Sequence, residues 1–408
     1  MRLLQIFFGL ACYLLLANTA LADWMQELSP HSNENYARLQ KADAYYQSLT
    51  THSWPQLEVP PLQKNDTNHG IPELRERLRL TTDLLPADDN QSEIYDEKLI
   101  AAVKHFQWRH GLQADGVIGL KTLHELNVSP FERAEEIRRN MQRWAALPAN
   151  LGDRFIFINI PDYRFNLIDQ GKTVLTMKVI VGKPDRPTPE LTSVITQAEL
   201  NPYWNIPPQI AKKDVIPKII KDPAYLDQMN IKIVQHRKSG VTIIDPHQID
   251  WQEVARNGFN YELRQEPGKN NSLGLVKFDF ANPYDVYIHD TPAKELFNRE
   301  NRIFSSGCIR LEKPFALLSY LLLGDEEWDI HRVAESLDSG KLTYIKIKPI
   351  PIYIVYATSW VDSDGVLHFR HDPYHYNEDP DLEDMASDPM LNEAKVDNTL
   401  TMPLSFYA

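Results

Sequence analysis

The stretch Tyr287–Arg310, YIHDTPAKELFNRENRIFSSGCIR, holds the two side chains on which the chain's chemistry turns, His289 and Cys308. A thiol is a useful nucleophile only as its thiolate, and an imidazole is the usual neighbour that takes the proton. Asp285-Val286-Tyr287-Ile288-His289 is β-rich, which predicts a strand with His289 at its end. Tyr287 and His289 are then i and i+2 and share a face. Ser305, Ser306 and Gly307 are small and leave the backbone beside the sulfur open to a substrate. Successive amides at such a turn could hold an oxyanion.

Upstream, the apolar period becomes two from Asp153. Phe155–Ile160, Arg164–Ile168 and Val174–Gly182 read as antiparallel hairpins, and Thr192–Glu199 as a further strand. Residues 201–240 interrupt this pattern with NPYWNIPP and two helical stretches, Gln209–Ile220 and Pro223–Asn230. An insertion of that length in a β domain reads as a lid, with Trp204 a candidate substrate contact. Beyond Cys308 come the helix Phe315–Leu323, started by Pro314, and strands within 343–370.

Toward the N-terminus the pattern is helical. Leu74, Leu78 and Leu80 fit one amphipathic helix, and Leu99, Val103 and Phe106 a second that Gly111 ends. A third runs to about Asn127, and a fourth, Glu132–Leu147, connects to the β region. AVKHFQWRHGLQADGVIGLKTLHELN resembles the second half of the three-helix peptidoglycan-binding domain, through its Phe-Gln, Gly-Leu, Asp-Gly-x-x-Gly and Thr-Leu positions.

A second resemblance spans Ile156 to about Pro373. VIVGKPDRPTP, NPYWNIPPQIAKKD, the Tyr287–Arg310 stretch and SWVDSDGVLHFRHDPY are similar to the L,D-transpeptidase catalytic domain of the YkuD type, in its large periplasmic branch with an N-terminal peptidoglycan-binding domain. Many members carry a second histidine two places before the cysteine and an Asn two places after it. Here Ser306 and Arg310 stand there, a pair of changes shared by that branch. The resemblance implies that Cys308 attacks the stem-peptide amide before a terminal D-alanine and forms a thioester, with His289 as general base and acid. An amine from a second stem then resolves it into a 3→3 cross-link. The Asp290 backbone carbonyl would orient the imidazole, and the Gly307 and Cys308 amides would hold the oxyanion. Tyr287, Ser306, Arg310 and Trp204 are the expected substrate contacts, and carbapenem-type β-lactams should acylate the thiol. Peptidoglycan stem peptides are the expected partner. Two alternatives stay open: a hydrolase that uses water at the same cysteine, and a non-catalytic wall-binding protein.

The fold class that follows is α+β and multidomain. A small three-helix peptidoglycan-binding domain precedes a mainly β catalytic domain with a helical lid insertion. The expected boundaries are a signal peptide at 1–22, an extension or linker at 23–65, the helical domain at 66–128, a connecting helix at 129–152, the catalytic domain at 153–375 and an acidic tail at 376–408. The first of these rests on Arg2, the apolar run Leu3–Leu16 and Ala20-Leu21-Ala22 before Asp23, which read as a cleaved secretory signal and imply the periplasm. The run is short for a membrane span, an uncleaved anchor being the alternative. Cleavage removes Cys12, so Cys308 would remain as the one thiol with no disulfide partner. A net charge of −13 argues against nucleic acid as a partner. His371, His375, Asp372 and Glu378 fit no metal-ligand spacing, so neither metal nor cofactor is expected. P-loop, G-x-S-x-G, H-E-x-x-H and C-x-x-C patterns do not occur.

Overall fold

The computed structural model describes residues 32–86, 91–237, 240–259 and 261–377. The expected signal peptide and nearly all of the acidic tail lie outside them. Among the described residues no helix is long and apolar enough to cross a membrane.

Among the described residues, five helices come first: α1 (Ser32–Leu49), α2 (Ile71–Leu80), α3 (Glu97–Arg109), α4 (Leu120–Asn127) and α5 (Pro130–Ala145). Their ends follow local chemistry. Pro72 starts α2, and the Asp96 carboxylate caps α3 by accepting from the Leu99 amide. Ser129 and Glu132 form a capping box at α5. Ile71, Leu74 and Leu78 of α2 pack with Leu99, Val103 and Phe106 of α3 and Leu126 of α4 in one core.

The β region begins with β1 (Arg154–Asn159), β2 (Arg164–Asp169), β3 (Lys172–Gly182) and β4 (Leu191–Leu200). An inserted unit follows, with β5 (Trp204–Ile206), β6 (Ile231–Arg237), β7 (Gly240–Ile244) and β8 (Glu262–Gln265). The main sheet resumes with β9 (Val276–Phe280), β10 (Ile288–His289), β11 (Ile303–Ser305), β12 (Ile309–Leu311) and β13 (Thr343–Val355). A small hairpin, β14 (Ser359–Val361) and β15 (Leu367–Phe369), ends it. The main sheet runs β11-β3-β12-β10-β9-β4-β13-β1-β2, and β2 also pairs with β3, so the sheet closes on itself. Its inner face carries Ile156, Ile158, Ile288, Ile309, Phe278 and Ile352, all fully buried in one cluster.

Two expectations need correction. Residues 23–65 are more than an extension or linker, because α1 is a packed element. Leu39, Tyr46 and Leu49 of α1 share a core with Ile137 and Trp144 of α5 and with Phe155 and Phe157 of β1. Alternation along β1 explains this: Ile156 and Ile158 point inward, and the phenylalanines between them point outward and need a cover. The lid expected as helical over 201–240 is larger and mixed. β5, β8, β6 and β7 form their own four-stranded sheet in that order, and Ile206, Ile219, Ile233 and Leu263 build a separate core beneath short helical turns. Pairing of β8 with both β5 and β6 draws residues up to 265 into the unit.

Candidate active site

The site is built by strand register. β10 pairs in parallel with β12, Ile288 opposite Ile309 and His289 opposite Arg310. Ile288 and Ile309 face the core, so the residues that alternate with them, Tyr287, His289, Cys308 and Arg310, face away from it together. On its other edge β10 pairs with β9, which sets Lys277 opposite His289. Lys277 is in turn opposite Glu199 of β4. One outer face of four adjacent strands therefore gathers thiol, imidazole, phenol, guanidinium, ammonium and carboxylate.

Cys308 is half-buried in the turn between β11 and β12. The Tyr287 amide and hydroxyl face the sulfur, and Sγ lies 3.9 Å from the Asp285 carbonyl oxygen. Burial pushes the thiol up, against the neighbouring Tyr287 and the charges of Lys277 and Arg310. The turn is held from inside. Ser305 Oγ donates to the Cys308 carbonyl at 2.5 Å, and Thr188 Oγ1 donates to the Gly307 carbonyl at 2.7 Å. Gly307 sits at φ +113°, a conformation that favours glycine. Its amide, expected to help hold an oxyanion, donates inward to Ser305 Oγ at 3.2 Å. The Cys308 amide makes no hydrogen bond to the described residues. Ser306 is half-buried in the same turn.

His289 is buried, with Nδ1 2.5 Å from the Asp290 carbonyl oxygen, and the ring also faces the Leu273 carbonyl. Burial and then the Arg310 charge push its pKa down to about 3, so the resting imidazole is neutral. Its orienting residue is itself pinned. The Asp290 carboxylate accepts from the Leu275 amide at 2.9 Å and from Lys294 Nζ at 2.6 Å. A Cβ on Gly274 would come 2.3 Å from that carboxylate, so only glycine lets the turn before β9 pass. His289 and Cys308 are diagonal neighbours on adjacent strands, and no direct hydrogen bond joins them.

Arg310 has a buried Nε with no hydrogen-bond partner. Trp204, at the start of β5, lies beside the Tyr287 hydroxyl, so the inserted unit reaches this face of the sheet. The Tyr287 and His289 rings meet edge-on, with centroids 5.6 Å apart.

Sequence reasoning missed Lys277, Glu199 and Asp279. Lys277 Nζ lies 2.7 Å from Asp279, 3.3 Å from Glu199 and 4.7 Å from the Tyr287 ring centroid. Burial, then a proton shared with Asp279, raises Glu199 to about 7. Their positions depend on the β4–β9 and β9–β10 registers, and no local motif marks them.

Comparison with known proteins shows what each region is similar to. Residues 153–333 match the L,D-transpeptidase catalytic domain (YkuD), and residues 70–126 the "Putative peptidoglycan binding domain". A curated "Putative L,D-transpeptidase" of Haemophilus influenzae is 34% identical over 255 residues, 62% of this chain and 50% of the relative. The chain thus spans about half the length of that relative. Among solved structures, the L,D-transpeptidase of Stackebrandtia nassauensis is 14% identical, with 64% of this chain and 91% of that one covered and a TM-score of 0.25. L,D-transpeptidase 3 of Mycobacterium tuberculosis is 12% identical, with 50% and 60% covered and a TM-score of 0.24. Residues 153–333 are thus similar to the L,D-transpeptidase catalytic domain. More particularly, that region follows one similar to a peptidoglycan-binding domain.

Proposed function

We propose that this chain is a periplasmic L,D-transpeptidase that forms 3→3 cross-links between peptidoglycan stem peptides through a Cys308 thioester. The observation that carries this reading is the shared outer face of β10 and β12, where Cys308, Tyr287, His289 and Arg310 stand together. Arg310 is the first contact. Its desolvated, unpartnered Nε suits a carboxylate of the donor stem, since a guanidinium matches a carboxylate in two parallel hydrogen bonds. An anion there also cancels the charge that depresses His289, so substrate itself makes the imidazole a better base.

The ring then turns from the Leu273 carbonyl and takes the thiol proton at Nε2, while the Asp290 carbonyl keeps Nδ1 protonated. Sγ attacks the carbonyl carbon between the third residue and D-alanine. The Cys308 amide supports the oxyanion, a donor of the kind whose loss costs about 2.7–4 kcal/mol. Collapse breaks the C–N bond, the imidazolium returns its proton to the leaving nitrogen, and D-alanine departs. An acceptor amine attacks the thioester and gives its proton to His289. The new amide forms, and the thiolate leaves. Tyr287 faces the sulfur throughout, and Trp204 closes the donor side.

Incubation with disaccharide-tetrapeptide should release D-alanine and yield 3→3 dimers, both lost in Cys308→Ala. Tripeptide monomers alone would favour the hydrolase, and no D-alanine at all the non-catalytic wall-binding protein.

A further inference from the structure

Away from Cys308, a cleft of about 720 Å³ opens between the helical domain and the catalytic domain. That volume suits a disaccharide-sized ligand. One wall carries Trp108, Leu120 and Lys121, and the other Asp162, Arg164 and Arg302. In a chain of net charge −13, this cleft is locally cationic. Asp162 is shared by Arg370 at 2.6 Å and Arg164 at 3.2 Å. Arg302 has no carboxylate within ion-pair distance among the described residues. It donates instead to the carbonyls of Arg299 at 2.9 Å and Val179 at 3.3 Å. Of the other two lining carboxylates, Glu300 pairs with Lys121, and Glu125 shares Arg133 with Glu136. The lining holds Lys121, Arg164, Arg302 and Arg370 against Glu125, Asp162 and Glu300, which leaves a positive charge in excess for a ligand. Leu120, 89% exposed, and Trp108 add an apolar surface beside them. The cleft also touches the catalytic turn. The Arg302 carbonyl accepts from Val181 of β3, and β11, the strand leading to Cys308, starts at the next residue.

We propose that this cleft is a second binding site, composite between the two domains, for an acidic glycopeptide. Its carboxylates meet Arg164 and Arg302, and its sugar rings lie against Trp108 and Leu120. The ligand class rests on the reading of peptidoglycan as substrate.

The test uses the full chain with Cys308 acylated by a carbapenem, titrated by calorimetry with disaccharide-tripeptide and with the free tripeptide. Acylated protein should bind the disaccharide-tripeptide more tightly than the tripeptide, and more weakly as salt rises. Arg164 is 45% exposed, so Arg164→Glu should fold. That variant should weaken binding about tenfold or more, the worth of one charge-assisted hydrogen bond. Lys121→Glu, on the opposite wall, should weaken it too. D-alanine release from a sugar-free tetrapeptide should stay unchanged in both. The proposal is overturned if acylated protein does not bind, if Arg164→Glu binds as well as wild type, or if only Lys121→Glu has an effect. Failure of the Cys308 reading is a separate result: no D-alanine release, while unacylated protein still binds the glycopeptide in an Arg164-dependent way.

Discussion

Two buried polar clusters in this molecule use the same materials to opposite ends. In the helical domain, Arg109 forks onto Asp83 at 2.7 and 2.6 Å, and Thr81 and His105 complete the carboxylate at 2.6 and 2.7 Å. Asp83 is wholly buried, and burial alone would raise its carboxyl. The Arg109 charge and the hydrogen bonds outweigh that and hold it below the usual carboxylate range. In the catalytic domain, Arg310 is left with an unpartnered Nε, His289 is held neutral, and Cys308 is pushed up. The first cluster is closed and fixes the fold. The second is left open at a cost in stability, in an arrangement that a carboxylate-bearing substrate would complete.

The largest effect that should separate them is Cys308→Ala, which removes all D-alanine release while leaving the thermal midpoint within a degree or two of wild type. His289→Gln should lower turnover by about 10²–10⁴, the usual worth of a positioned general base, again with the fold intact. Asp83→Asn should do the reverse. Breaking a buried pair costs about 3–5 kcal/mol in denaturant unfolding, and acylation per folded molecule should not change. Arg310→Met is the sharpest contrast. It should lower turnover of the stem-peptide donor by about tenfold or more, yet keep or raise stability, because it removes an uncompensated buried charge. If Arg310→Met destabilises as much as Asp83→Asn, the two clusters are alike and the comparison fails.

The smallest effect is in pH. The folded pKa of His289, about 3, lies below the unfolded value of about 6.5. The unfolded chain therefore binds the proton first. Stability from this group is complete above about pH 6.5 and is lost as pH falls from there through about 3. Removing the Arg310 charge raises the lower limit and narrows that window, which NMR titration of the His289 imidazole would report directly.

Much of the site was legible because its determinants are local. Period-two alternation over Asp285–His289 gives Tyr287 and His289 one face, and the small residues before Cys308 announce an open turn. What was not legible depends on distant partners. Lys277 and Glu199 reach the site only through register between strands far apart in sequence. Leu39 and Tyr46 of α1 lie in the stretch expected as extension or linker, because the outward phenylalanines of β1 that they cover are distant in sequence. β6 escaped notice, and with it the extent of the inserted unit, because β8 lies some thirty residues beyond it. Gly307 illustrates a different limit. Its position is local, but the direction of its amide follows from φ and from Ser305 Oγ, which composition alone does not give.

Intact-mass spectrometry after exposure to a carbapenem tests the central assignment most directly. The account predicts one adduct on the wild-type chain, mapped to Cys308, and none on Cys308→Ala. An adduct that persists in Cys308→Ala, or none on folded wild-type protein, would contradict it.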